Sequence, residues 1–265
     1  MIRTHLRAAV TRFTPARTLL RRGYERRFRT ARGVGALCGM YDSFAEAARA
    51  APAGAALGYD NTAAAVLYRD RLDDVFPKDY PALFWLREAI AGAASVFDLG
   101  GHVGLSYYAF RRYLAYPPGL RWVVCDVPAV TAVGAALAGE CGADALAFTT
   151  DPEEAAGADV LFAAGSLQYI ERPMSELLAG MAERPRHVII NQMPTHPGRE
   201  FVTLQNIGVA FCPYRVGRAD AVPEALGRLG YELVDAWEDP SRRTGVPYRP
   251  DASPVAYSGY YLRLR

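Results

Sequence analysis

Ser95-Val96-Phe97-Asp98-Leu99-Gly100-Gly101-His102-Val103-Gly104 reads as a strand that runs into a tight turn. A short apolar run closes on an acid, Asp98, and three glycines fall within the five residues 100–104. From Val103 a helical pattern, V-G-L-S-Y-Y-A-F-R-R-Y-L, takes over. Strand, glycine turn and helix together bring bare backbone close to a nucleotide-like ligand at the carboxyl edge of a parallel sheet. The spacing selects among such ligands. A dinucleotide fingerprint needs glycines at 100, 102 and 105, and these positions hold Gly100, His102 and Leu105. A nicotinamide-dependent reductase is therefore disfavoured. The plainer reading, a glycine turn in any α/β protein, is weighed against the rest of the chain.

The motif that stands here, Asp98-x-Gly100-x-His102-x-Gly104, resembles the D-x-G-x-G-x-G loop of class I S-adenosylmethionine-dependent methyltransferases. The middle glycine is replaced by His102, a residue type that tolerates positive φ better than most. Outward from the loop, strands and helices alternate. Residues 121–127 form a buried strand ending in Asp126, and a helix is expected over 128–140. Short strands follow at 146–150 and 159–165. Met174, Leu177, Leu178 and Met181 then share a helix face behind Pro173. Residues 187–191 give a fifth strand, so the pattern implies a parallel sheet with right-handed crossovers. Residues 220–229 form a helix closed by Gly230. Residues 231–237 and 258–265 are two strands joined only by a Pro-rich loop, which predicts an antiparallel closing pair.

Upstream, Ser43 and Glu46 form a capping box, and residues 60–76 and 79–91 read as two further helices. Leu83, Leu86 and Ile90 share a face of the second, and Asp79 is its cap candidate. The chain divides into a basic N-terminal helical appendage (1–35), a helical cap layer (36–92) and a core (93–265).

Composition bounds the function. With 51% hydrophobic and 22% charged residues over 265 positions, the chain suits one globular α/β domain with additions. No apolar run approaches the ~18 residues of a membrane span. Cys38, Cys125, Cys141 and Cys212 are scattered, so neither a zinc site nor a disulfide framework is expected, and a cytoplasmic location follows. Residues 1–32 carry ten arginines and one acid, Glu25, a charge of +9, which leaves the body at −7. With Leu6, Val10 and Phe13, that leader fits a transit peptide or a basic arm for a partner or an acidic lipid surface. The arm is favoured, because the leader lacks serine richness. An acidic body and the absence of an N/D-P-P-Y/F motif argue against a nucleic-acid substrate.

Asp126 ends the second strand, where an acid can accept from both hydroxyls of a ribose, with Val127 beside it. Its plainer role is to cap the next helix. Thr150 and Asp151 stand where an adenine ring would pass, and they too are helix-cap types. The fourth strand leads into Ser166, Leu167, Gln168 and Tyr169; in the methyltransferases that the loop resembles, this position lies beneath the methionine part of the cofactor and faces the acceptor.

Beyond the general fold, Gly39-Met40-Tyr41-x-Ser43-Phe44-x-Glu46-Ala47, Gly58-Tyr59, the loop itself, Gln205-Asn206 and Pro213-Tyr214-Arg215 resemble one family of methyltransferases, often encoded beside surface-polysaccharide genes. The resemblance spans residues 35–265. It implies a Rossmann-like class I methyltransferase fold: a mainly parallel seven-stranded sheet with a C-terminal antiparallel strand. It also implies S-adenosylmethionine as cofactor, S-adenosylhomocysteine as product, and a small-molecule acceptor, a sugar or specialised metabolite, methylated on O or N. Asp98, Gly100, Gly101, His102, Gly104, Asp126, Val127, Thr150, Asp151, Ser166 and Leu167 are the expected cofactor contacts.

Residues 193–216 follow the fifth strand and are the expected acceptor-specificity segment, with His196, Glu200, Gln205, Asn206, Tyr214 and Arg215. Methyl transfer mainly requires alignment of nucleophile, carbon and leaving sulfur. His196 is the candidate base and Tyr169 a second catalytic candidate. No His, Asp or Glu spacing suits a metal. A homodimer is compatible with the sequence, and integral membrane association is not. The alternative is a catalytically inactive protein that keeps the fold and binds a nucleoside or partner.

Overall fold

A computed structural model describes residues 14–265. The leader residues Leu6, Val10 and Phe13 lie outside the described residues. In chain order the described elements begin with α1 (Thr14–Phe28), β1 (Leu37–Tyr41), α2 (Phe44–Arg49), α3 (Thr62–Ala65) and α4 (Tyr80–Ala89). The alternating core follows: β2 (Ser95–Leu99), α5 (Leu105–Phe110), β3 (Arg121–Cys125), α6 (Pro128–Cys141), β4 (Leu146–Thr149), β5 (Val160–Ala164), α7 (Met174–Gly180) and β6 (His187–His196). The chain ends with β7 (Phe201–Asn206), β8 (Phe211–Arg218), α8 (Ala221–Gly227), β9 (Tyr231–Glu238) and β10 (Ala256–Leu264).

Seven strands lie in the order β4-β3-β2-β5-β6-β10-β9. All neighbours pair in parallel except β10, which is antiparallel to both β6 and β9. The expected parallel sheet and its antiparallel closing strand are both present. Strand period explains the two layers of helices. Val96, Trp122, Val124 and Phe162 face α4, α5 and α6, while Phe97, Val123, Leu161 and Ile190 face α7 and α8. Met174, Leu177, Leu178 and Met181 bury the predicted face of α7 in that second cluster. Each such large apolar side chain contributes roughly 1.5–3 kcal/mol when fully buried. The capping box at α2 forms with a shift of one residue. Glu46 N–H donates to Ser43 Oγ, and the Glu46 carboxylate accepts from Asp42 N–H instead of Ser43 N–H.

Three corrections concern the additions. Residues 36–92 are not wholly helical, because they open with the strand β1. Gly39, with φ +78°, interrupts the pairing of β1 between Cys38 and Tyr41. The helix expected over 60–76 is only the single turn α3 and a 3₁₀ turn at Arg69–Arg71. Residues 193–216, expected to follow the fifth strand as one long connection, are the end of β6 and an antiparallel hairpin, β7–β8, whose outer edge pairs with β1. Pro213 lies within β8, opposite Leu204 in the hairpin. The readable signal was two apolar-aromatic runs around Ile207-Gly208-Val209-Ala210. The hairpin joins the main sheet where Thr195 and His196 pair in parallel with Gly217 and Arg218.

Candidate functional site

Gly100, His102 and Gly104 all take the left-handed region, with φ of +75°, +55° and +89°. Gly100 N–H donates to Cys125 O at 2.7 Å, which extends the β2–β3 pairing, and the turn closes when Gly104 N–H donates to Gly101 O at 3.1 Å. A side chain at Gly101 would put its Cβ 2.4 Å from the Asp98 carboxyl carbon. The missing middle glycine is thus met by a histidine that accepts positive φ, as its residue type allows.

Asp98 and Asp126 lie on either side of this turn. Asp98 is fully buried and its Oδ2 accepts from Trp122 Nε1–H at 3.2 Å. Burial pushes its pKa up to about 7, against the Trp122 hydrogen bond and with the Asp126 charge adding to the rise. Asp126 Oδ2 accepts from His102 N–H at 2.9 Å, and its Oδ1 accepts from Val127 N–H at 2.8 Å. Burial raises the Asp126 pKa too, while those two amides and His102 oppose the rise. An ionised carboxylate has about four acceptor sites, so each oxygen keeps capacity for one further donor.

A cover missed by sequence reasoning lies over the turn. His102 Nε2 lies 3.1 Å from Ala64 O, which requires Nε2–H and leaves Nδ1 as an acceptor. Tyr59 and Tyr68 pack edge-on against that ring. Asp60 Oδ1 accepts from Ala129 N–H in the first turn of α6, at 2.9 Å. The one sequence trace of this cover was the pair Gly58-Tyr59.

At the end of β5, Ser166 Oγ–H donates to Leu99 O at 2.5 Å, so it joins the β5 end to the β2 end. Leu167 begins a 3₁₀ turn over Leu167–Tyr169 and is half-buried. Gln168 Nε2–H donates to Gly165 O at 2.6 Å. Tyr169 OH donates to Gln205 Oε1 at 2.6 Å, and its ring packs on Tyr59 and Tyr214. Burial drives its pKa further up. Thr150 and Asp151 are exposed, and Asp151 Oδ1 caps a 3₁₀ turn by accepting from Glu153 N–H at 2.9 Å. The structure does not bring His196 to the loop. It ends β6, where its Nδ1 accepts from Gly198 N–H at 3.1 Å and its ring meets Phe201.

Four buried acceptors along this edge have no partner: Asp98 Oδ1, His102 Nδ1, Gln168 Oε1 and Gln192 Oε1. Such groups are costly unless something donates to them. Among the described residues, no group of three or more His, Cys, Asp or Glu is arranged to hold a metal, and no helix is long and apolar enough to cross a membrane. Two surface hollows, of about 490 and 610 Å³, lie away from the turn, beside Arg121 and Asp144 and beside Pro247 and Tyr248.

A scan against protein-family models finds no match, and a search of curated proteins finds none either. Solved structures do match. The N-terminal domain of EvdMO1 with SAH bound is 16% identical, with a TM-score of 0.50 over 72% of this chain and 83% of that one. The same domain in the presence of SAH and D-fucose gives 0.50 at 16% identity over 72% and 85%. The N1-methyltransferase for 1,6-didemethyltoxoflavin of Burkholderia thailandensis covers 81% of this chain and 94% of its own, at 21% identity and a TM-score of 0.43. Together with the strand order β4-β3-β2-β5-β6-β10-β9, the match decides the architecture. The fold is that of the class I methyltransferases. In this methyltransferase fold the loop, Asp126 and the β5 end occupy the carboxyl edge of the three central parallel strands.

Proposed function

We propose that the protein is an S-adenosylmethionine-dependent methyltransferase acting on a small-molecule acceptor. The observation that carries this reading is the set of three buried, unpartnered acceptors, Asp98 Oδ1, His102 Nδ1 and Gln168 Oε1, beside a glycine turn tied to Asp126. An edge rich in lone pairs and short of donors suits a ligand that bears positive charge and N–H or O–H groups. S-adenosylmethionine is such a ligand, and the residues present fit it. Gly100, Gly101 and Gly104 would pass its backbone-facing side, and His102 would hold the turn. Asp126 would accept from ribose hydroxyls. Val127, Thr150 and Asp151 would flank the adenine, and Ser166 and Leu167 the methionine part. When bound, the cofactor supplies a methyl group on a sulfonium centre.

The chain's own residues then orient and exclude water. The Tyr59, Ala64 and Tyr68 cover shields the turn, and the Ser166–Leu99 bond holds the ends of β2 and β5 at fixed separation. Tyr169, bonded to Gln205 and hard to ionise, enters the proposal as a group that shapes the acceptor side. His196 presents only Nε2 at the mouth of the hairpin, so its proposed part is as base for an acceptor that reaches that far. A His196→Gln variant whose kcat/KM equals wild type would remove it. The proposal includes the divisions 1–35, 36–92 and 93–265, a cytoplasmic protein, an O- or N-linked methyl product and a homodimer as an option. The −7 body supports a substrate other than nucleic acid.

The test is calorimetric titration of S-adenosylmethionine and S-adenosylhomocysteine. Micromolar binding supports the reading, and no binding of either sinks it. A protein that keeps the fold without turnover would bind and never form S-adenosylhomocysteine, whichever acceptor is offered.

A further inference from the structure

The end of β6 holds a second polar group that the cofactor reading does not use. Asn191 pairs with Ala164, the last residue of β5, so this group also lies at the carboxyl edge. Between the pairs Ser258–Met193 and Tyr260–Ile190, Gly259 alone faces both Asn191 and Gln192, which makes a β-bulge. Gln192 sits in that bulge at φ +57°, a strained conformation for its residue type. The bulge turns both amides toward the ends of α4 and β9. Asn191 Oδ1 accepts from Trp237 Nε1–H at 3.1 Å, and Asn191 Nδ2–H donates to Lys78 O at 3.2 Å and to Asp79 Oδ1 at 3.4 Å. A Cβ on Gly259 would lie 2.2 Å from the Trp237 indole, so the glycine is what seats that ring.

Gln192 Nε2 approaches Asp239 Oδ2 at 3.5 Å. A carboxylate only accepts, so this contact fixes which end of the amide is which. Gln192 Oε1 then remains buried and without a donor, on a residue only 5% exposed. Asp239 itself is 5% exposed and Asp79 is half-buried, and the charge of Asp239 reaches Asp79. Lys78 lies near both acids and offsets part of their negative charge. Asp239 Oδ1 accepts from Ser241 N–H and Oγ–H, and Asp79 Oδ2 from Phe76 N–H, so the unfilled acceptor is Gln192 Oε1; with the charge of the two carboxylates and an indole beside it, it makes a cation-favouring set that recognises an organic ammonium.

We propose that Gln192, Asp239 and Asp79, with the Trp237 indole beside them, form an acceptor subsite that binds a protonated amine. This rests on the methyltransferase reading for the word acceptor, while the cation site itself stands on these four residues. A neutral hydroxyl analogue satisfies Gln192 Oε1 but offers nothing to the acids, so amine and alcohol separate the two contributions.

The chain has three tryptophans, so the indole N–H region of a nitrogen-15 spectrum holds few signals, and Trp237→Phe identifies the one that matters. Cyclohexylammonium chloride and cyclohexanol are titrated, at matched ionic strength, into protein saturated with S-adenosylhomocysteine. The expected result is a saturable shift of the Trp237 signal with the ammonium and none with the alcohol over the same range. Gln192→Asn, chosen because asparagine tolerates positive φ, and separately Asp79→Asn should each weaken the ammonium tenfold or more. S-adenosylhomocysteine affinity should stay within twofold in both. No saturable shift, an equal shift with the alcohol, or wild-type ammonium affinity in both variants would overturn the subsite. If S-adenosylhomocysteine fails to bind while the ammonium still does, the methyltransferase reading falls and the cation site stands. If the cofactor product binds and the ammonium does not, the subsite falls alone.

Discussion

The main-chain N–H of His102 donates to Asp126 Oδ2 at 2.9 Å, so the residue that replaces the middle glycine of the loop is held by the acid that ends the next strand. Turn and acid therefore act as one unit. Removal of the carboxylate frees two amides, His102 N–H and Val127 N–H, as well as any ribose contact.

Asp126→Asn keeps an acceptor for one of those amides, and Asp126→Ala keeps none. Asparagine should cost S-adenosylhomocysteine binding about 1–3 kcal/mol. Alanine should cost more and lower the melting temperature as well. Calorimetry paired with thermal melts separates the two effects. Equal affinity in wild type and both variants would remove Asp126 from the cofactor site.

Asp98 yields a pH prediction with a definite sign. Its folded pKa of about 7 lies above the ordinary aspartate value of 3.8, so the folded state holds the proton more tightly than the unfolded chain does. The stability it contributes is present below pH ~4 and is lost as pH rises toward ~7. The full loss is at most about 4 kcal/mol. Asp98→Asn cannot ionise, so its stability relative to wild type should rise between pH 4 and 8. Denaturant melts at those two pH values measure it, and a flat difference between variant and wild type would contradict the burial argument.

Gly100 faces Ser166 so closely that an added Cβ would stand 2.3 Å from the serine Cβ, at a φ of +75°. Gly100→Ala should therefore destabilise the protein by at least ~2 kcal/mol, from the clash and the strained φ together. Ser166→Gly in the same chain should recover the steric part and not the backbone part. A melt of the double variant no higher than that of Gly100→Ala would mean the clash is not what limits the site.

Tyr169 OH and Gln205 Oε1, bonded at 2.6 Å, connect the β5 end to the hairpin. Tyr169→Phe leaves a buried Gln205 oxygen without its donor and should cost about 1–3 kcal/mol. Adding Gln205→Leu should restore part of that loss, a coupling that a double-mutant cycle reads directly. Additive losses would show that the bond contributes nothing of its own.

Much of the core was legible from local pattern. The strand into Asp98, the positive φ tolerated at His102, the α7 face of Met174, Leu177, Leu178 and Met181, and the antiparallel closing strand each depend on residues close in sequence. The hairpin was less legible, because Pro213 and the polar Thr203, Gln205 and Asn206 blur the strand period. Those polar side chains are buried and satisfied by distant groups: Thr203 bonds Cys38 and Gly39 carbonyls, and Asn206 bonds Phe28 O. No window of sequence around residue 203 contains those partners.

The sequence by itself determined the strand-turn-helix unit, the order of strands and helices behind it, and the acid at Asp126, because backbone torsion preferences and hydrophobic period act over a few residues. Only the tertiary structure decided that β1 closes the β7–β8 hairpin, that Tyr59, Asp60 and Ala64 cover the turn, and that Asp79, Gln192, Trp237 and Asp239 meet at one edge. Those meetings join segments far apart in the chain. They exist only once the packed sheet has fixed the distances between strand ends.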